Sequence, residues 1–115
     1  MTSQQLSKVI AKGMEEKKAS DIVIMDLRSV KDTVTDFLVI CSGNSDTQLD
    51  AISKSIEEQV HKASESPAWK VEGKANGQWV LMDYVNVVAH IFLSDKREYY
   101  GLEELWGDAN TTRIS

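Results

Sequence analysis

The chain has 115 residues, 42% of them hydrophobic, enough for one domain (1–115) with a sizeable core. Against 13 Lys and Arg stand 18 Asp and Glu, and the formal charge of −5 disfavours a grip on nucleic-acid phosphates while favouring basic proteins as partners. A single cysteine, Cys41, excludes an internal disulfide and suits a reducing compartment, so the cytoplasm is expected.

Leu6, Val9, Ile10, Gly13 and Met14 recur at helical spacing and predict an amphipathic helix over about 3–18, capped by Thr2 or Ser3. The first twenty residues are studded with charge (Lys8, Lys12, Glu15, Glu16, Lys17, Lys18), which predicts neither a secretory leader nor a membrane span. Apolar runs at Ile22 to Leu27 and Phe37 to Cys41 read as buried strands. Ser45 is placed to cap a second helix, with Asp46 near its positive end and Leu49, Ile52, Ile56 and Val60 on one face. Pro67 should end that helix among Ala63, Ser64 and Ser66.

Three strands are expected next: Trp69 to Glu72, Gln78 to Met82 and Val85 to Leu93. Asp83-Tyr84 is short enough to make the last two an antiparallel hairpin. Asp95 to Trp106 reads as one or two short helical turns broken at Gly101, and 109–115 as a flexible tail. Helix, two strands, helix, three strands and short helix make a mixed α/β (α+β) domain, one sheet of about five strands flanked by helices.

Chemistry is sparse. Gly43-Asn44-Ser45-Asp46 joins a strand to a helix N-terminus, where an anion can bind, but it lacks the Lys and second Gly of a phosphate loop. Asp26, Asp36 and Asp83 fall at strand ends and could hold a divalent ion for phosphoryl chemistry if they met, yet no Asp-x-Asp pair occurs on these strands. His61 reads as a solvated helix residue. His90 shares a strand face with Val88 and Phe92 and reads as a half-buried, hydrogen-bonded residue; Cys41 reads as a small buried hydrophobe. No catalytic, cofactor-binding or metal-ligating residue is assigned.

The last third of the chain is distinctive. Trp79, Tyr84, Tyr99, Tyr100 and Trp106 cluster there with Leu81, Leu102 and Leu105, and between Asp95 and Asp108 five acids (Asp95, Glu98, Glu103, Glu104, Asp108) face Lys96 and Arg97. Aromatic anchors in an acidic rim suit a basic protein partner, while some of these rings must complete the core.

Trp79-Val80-Leu81-Met82-Asp83, Val87-Val88-Ala89-His90-Ile91-Phe92 and Arg97-Glu98-Tyr99-Tyr100-Gly101-Leu102-Glu103-Glu104-Leu105-Trp106 resemble the ribosomal silencing factor (Iojap-like) family. Asp21-Ile22-Val23, the Asp26 strand, Thr35-Asp36-Phe37-Leu38-Val39-Ile40-Cys41 and Gly43-Asn44-Ser45 fit it too, so the resemblance runs from about Leu6 to Asp108. Asn86-Val87-Val88-Ala89 departs from it, where relatives often carry Asp and an unbroken β-branched run. The resemblance implies a nucleotidyltransferase-like topology without the catalytic motif. It also implies translational repression, with the large ribosomal subunit bound through ribosomal protein number fourteen and subunit joining blocked, especially when nutrients are scarce. By motif it makes Trp79, Leu81, Asp83, Arg97, Tyr99, Tyr100, Leu102 and Trp106 the candidate partner contacts. Little direct nucleic-acid binding is expected, and a sheet edge or the aromatic surface could pair two copies. The alternative from the residues is a metal-dependent nucleotidyltransferase using Asp26, Asp36 or Asp83 with phosphates at Ser45.

Overall fold

The computed structural model describes residues 1–64, 67–107 and 109–115; Ser66, an expected helix end, and Asp108 of the acidic segment lie outside the described residues. The elements are α1 (Ser3–Glu16), β1 (Ser20–Asp26), β2 (Phe37–Gly43), α2 (Asp46–Ser64), β3 (Lys70–Glu72), β4 (Trp79–Asp83), β5 (Val87–Leu93), α3 (Ser94–Tyr100), α4 (Leu102–Leu105) and β6 (Asn110–Arg113). The strands form one mixed sheet in the order β3-β4-β5-β2-β1-β6, in which only β2 and β5 run parallel.

Local chemistry sets the helix starts. Thr2 Oγ1 accepts the Gln5 N–H at 3.1 Å while Gln5 Oε1 accepts the Thr2 N–H at 2.8 Å, a reciprocal cap for α1. Ser45 Oγ accepts the Gln48 N–H at 3.1 Å and caps α2 as the sequence predicts. Both helices lie on one face of the sheet, where Ile10, Met14, Leu49, Ile52 and Ile56 pack on Ile22, Ile24, Val39, Val80, Met82 and Ile91. Alternation sends Val23, Met25, Leu38, Ile40 and Phe92 to the opposite face, where Tyr100, Leu102 and Trp106 from the short helical segment pack on them.

Two expectations change. The sheet has six strands, because Asn110–Arg113 pairs antiparallel with β1 where a flexible tail was expected. The hairpin turn is also longer than Asp83-Tyr84: β5 begins at Val87, and Val85 sits in the turn with φ +73. Among the described residues no helix is long and apolar enough to cross a membrane.

The two large helices approach closely at Gly13, where a Cβ would lie 2.9 Å from Ile56 Cα, and Ser55 Oγ donates a buried 2.8 Å bond to the Gly13 carbonyl. Gly13→Ala should therefore destabilise the protein. Alanine favours a helix by roughly 1 kcal/mol, but forcing packed backbones apart costs about 1–3 kcal/mol. Urea unfolding should give a net loss of up to about 2 kcal/mol; a more stable variant would show that the helices part freely.

Candidate functional site

The face bearing the second core is only partly covered. On β4, Val80 and Met82 are buried beneath the large helices, and Trp79, Leu81 and Asp83 alternate onto the other face, half-buried. Register places Trp79 opposite Phe92, Leu81 opposite His90 and Asp83 opposite Val88. Tyr100 joins this row: its ring centroid lies 4.5 Å from Trp79 and 5.6 Å from Phe92, while Tyr99 meets Tyr100 edge-on at 5.3 Å. Gly101, at φ +62, lets α3 stop and α4 start at once, so that Leu102 and Trp106 reach the same core.

His90 forms the floor. It is 6% exposed and accepts the Trp79 indole N–H through Nδ1 at 3.0 Å, which fixes the indole over the sheet. It is thus hydrogen-bonded as expected, and more deeply buried. Burial pushes its imidazole down to about 4, against the opposing pull of the Asp83 carboxylate, so at neutral pH it is uncharged.

The eight candidate contacts divide into two groups. Trp79, Leu81, Asp83, Tyr100, Leu102 and Trp106 belong to this face, with Tyr99 beside them at 81% exposure. Arg97 is engaged inside the chain: it donates to Glu103 at 2.7 Å, to Ser42 Oγ at 3.0 Å and to the Asp21 carbonyl, and thereby ties α3 to α4, β2 and β1. Its guanidinium holds the aromatic segment in place. The signal lay in the Arg97 and Glu103 pair, six residues apart across Gly101, but its partners on β1 and β2 follow only from the fold. Tyr84 separates from the other aromatics, since it is buried in the core under α2, where burial pushes its phenol up to about 12.

The other candidates do not assemble. Asp26 is held by Arg28 at 2.7 Å on the helix-covered face, with Asp36 close enough to act on the same guanidinium, while Asp83 alternates onto the opposite face. Among the described residues no group of three or more His, Cys, Asp or Glu is arranged to hold a metal ion. At the Gly43-Asn44-Ser45-Asp46 turn, the N–H groups of Asn44, Thr47 and Gln48 are taken by the side chains of Gln48, Asp46 and Ser45, at 2.7, 2.8 and 3.1 Å. Three of the N–H donors that could cradle a phosphate are therefore already used. Cys41 is fully buried, its thiol pushed up to about 12 by desolvation, and His61 is exposed on α2.

Comparison with known proteins gives one direction. A family model described as "Ribosomal silencing factor during starvation" matches residues 1–115. Ribosomal silencing factor RsfS of Bacillus subtilis is 39% identical over 109 residues, covering 95% of this chain and 91% of that protein. The mouse protein named "Mitochondrial assembly of ribosomal large subunit protein 1" is 32% identical over 95 residues, covering 81% of this chain and 41% of that one. A crystal structure of a Chromobacterium violaceum protein superposes with a TM-score of 0.86 at 31% identity, covering 93% of this chain and 88% of that chain.

The neutral His90 makes stability depend on pH. An unfolded histidine titrates near 6.5, so between about pH 6.5 and 4 the unfolded chain binds a proton that the folded chain refuses. Stability should fall as pH drops through that window, by up to about 3 kcal/mol from this group, and level off below it. Urea unfolding at a series of pH values should show the slope, and His90→Gln should remove this part of it. Identical slopes for the two proteins would mean that His90 is not held neutral.

Proposed function

The chain belongs to the ribosomal silencing factor family, and on that premise we propose that it binds the large ribosomal subunit through ribosomal protein number fourteen and keeps the small subunit from joining. The observation that carries this reading is the half-covered sheet face, where Trp79, Tyr100 and Trp106 form an apolar centre with Leu81 and the Asp83 carboxylate in the same β4 row. Apolar rings at a centre with charge at the rim are what a protein–protein contact needs. The acidic charge aids encounter with a basic ribosomal protein and discourages adhesion to RNA, so little direct nucleic-acid binding is proposed. The name of the mouse relative, which speaks of large-subunit assembly, supports the same particle.

The mechanism is steric and requires no chemistry, so the chain is proposed to act as a translational repressor and not as an enzyme, in the cytoplasm, when nutrients are limiting. A metal site built from Asp26, Asp36 and Asp83 would need the three to converge, and Asp26 and Asp83 lie on opposite faces of the sheet.

Sedimentation of purified subunits with increasing amounts of this protein should show joined ribosomes giving way to separate subunits; unaltered joining at saturation would refute the proposal. Within it, Tyr99→Ala and Leu81→Ala should each lower affinity for the large subunit by about 2 kcal/mol, roughly thirtyfold, while leaving the unfolding midpoint nearly unchanged. A folded variant that binds normally removes that residue from the contact.

A further inference from the structure

At the end of β4, beyond Asp83, the chain does something physically unfavourable. Val85 holds φ +73, in the left-handed region that β-branched residues rarely adopt. The turn is fixed there by three bonds: Val85 N–H to Asp83 Oδ1 at 2.7 Å, Tyr84 N–H to the Val87 carbonyl at 2.9 Å and Asn86 N–H to the Tyr84 carbonyl at 2.9 Å. Glycine would make this turn without strain. The valine side chain offsets nothing inside the chain, for it is 56% exposed and belongs to neither core cluster. Two further apolar residues are exposed beside it: Trp69, 71% exposed, from the strand-edge segment before β3, and Val34, 98% exposed, from the loop between β1 and β2. Together with Asp83 they line a groove of about 250 Å³.

The groove has one charged wall. Among the described residues the Asp83 carboxylate accepts no hydrogen bond besides that from Val85, and Lys70, its cross-strand neighbour, pairs instead with Glu72 at 2.9 Å. An exposed indole, two branched aliphatic side chains and one carboxylate fit the alkyl stem and cationic head of a basic side chain. Asp83 also belongs to the row Trp79, Leu81, Asp83 on the open sheet face, so groove and face are continuous.

We propose that the groove of Val34, Trp69, Asp83 and Val85 receives an arginine or lysine side chain of the protein partner, as a specificity pocket at the edge of the docking face. The assignment rests on the docking reading above. It identifies which chemistry of the partner is read at this edge, and it gives the strained valine a role outside the fold.

Binding to purified large ribosomal subunits, measured beside thermal unfolding, tests it with Val85→Gly, Trp69→Ala and Asp83→Asn. Val85→Gly should raise the unfolding midpoint by about 2–5 °C and yet weaken binding about fivefold, a split that a structural role would not produce. Trp69→Ala should leave the midpoint nearly unchanged and weaken binding about thirtyfold. Asp83→Asn keeps the acceptor for the Val85 N–H and should flatten the salt dependence of the association rate. Wild-type affinity in both Val85→Gly and Trp69→Ala overturns the groove assignment alone. So does loss of self-association in sedimentation velocity with subunit binding intact, which gives the groove to a second copy of this chain. If the wild-type chain fails to bind large subunits, the docking reading itself fails and the groove assignment falls with it.

Discussion

A six-stranded sheet whose two central strands are apolar on both sides must be covered on both sides, and 115 residues cannot cover both equally. β2 is buried at every position and β5 at most, so each face needs its own layer. The 14 residues of α1 and 19 of α2 cover the central strands on one face. The other receives α3 and α4, seven and four residues long, which lie over the β1–β2–β5 side and leave the β4 side half open. The open surface is a consequence of how the covering elements are divided.

Such short helices have little stability of their own. What holds them is tertiary: the stack of Trp79, Phe92 and Tyr100, the Trp79 to His90 bond, and the three-way grip of Arg97 on α4, β1 and β2. Aromatic pairs in such geometry contribute about 0.5–1.5 kcal/mol each beyond the area they bury. The same rings therefore serve as core on one side and as surface on the other. Trp79, Tyr100 and Trp106 are each half-buried, so packing in the core still leaves part of each ring exposed.

Much of this was legible in the residues. Helical spacing, the Ser45 cap, the β4–β5 hairpin and the face shared by Val88, His90 and Phe92 all follow from local pattern, and the structure keeps them. Tertiary pairing was harder to read. Asn110–Arg113 is polar with no alternation, and it becomes a strand because β1 offers an edge. Tyr84 looked like the other aromatics until its strand-end position turned it under α2. Arg97 looked like a surface charge because its acceptors, the Asp21 carbonyl and Ser42 Oγ, lie 76 and 55 positions away. The Val85 turn was hidden by composition, since a β-branched residue next to a valine run reads as strand.

The parallel pairing of β2 with β5 bears on how the molecule comes into being. Phe37 lies opposite Val87 and Gly43 opposite Leu93, so every rung of the central ladder joins residues 50 apart in the chain. Closing so long a loop is entropically unfavourable before any contact forms, and topologies dominated by such pairings fold slowly. During synthesis the first two strands and α2 exist well before their central neighbour does. One edge of β2 stays unpaired until β5 has left the exit tunnel of the translating ribosome, so the sheet can close only after most of the chain has been made.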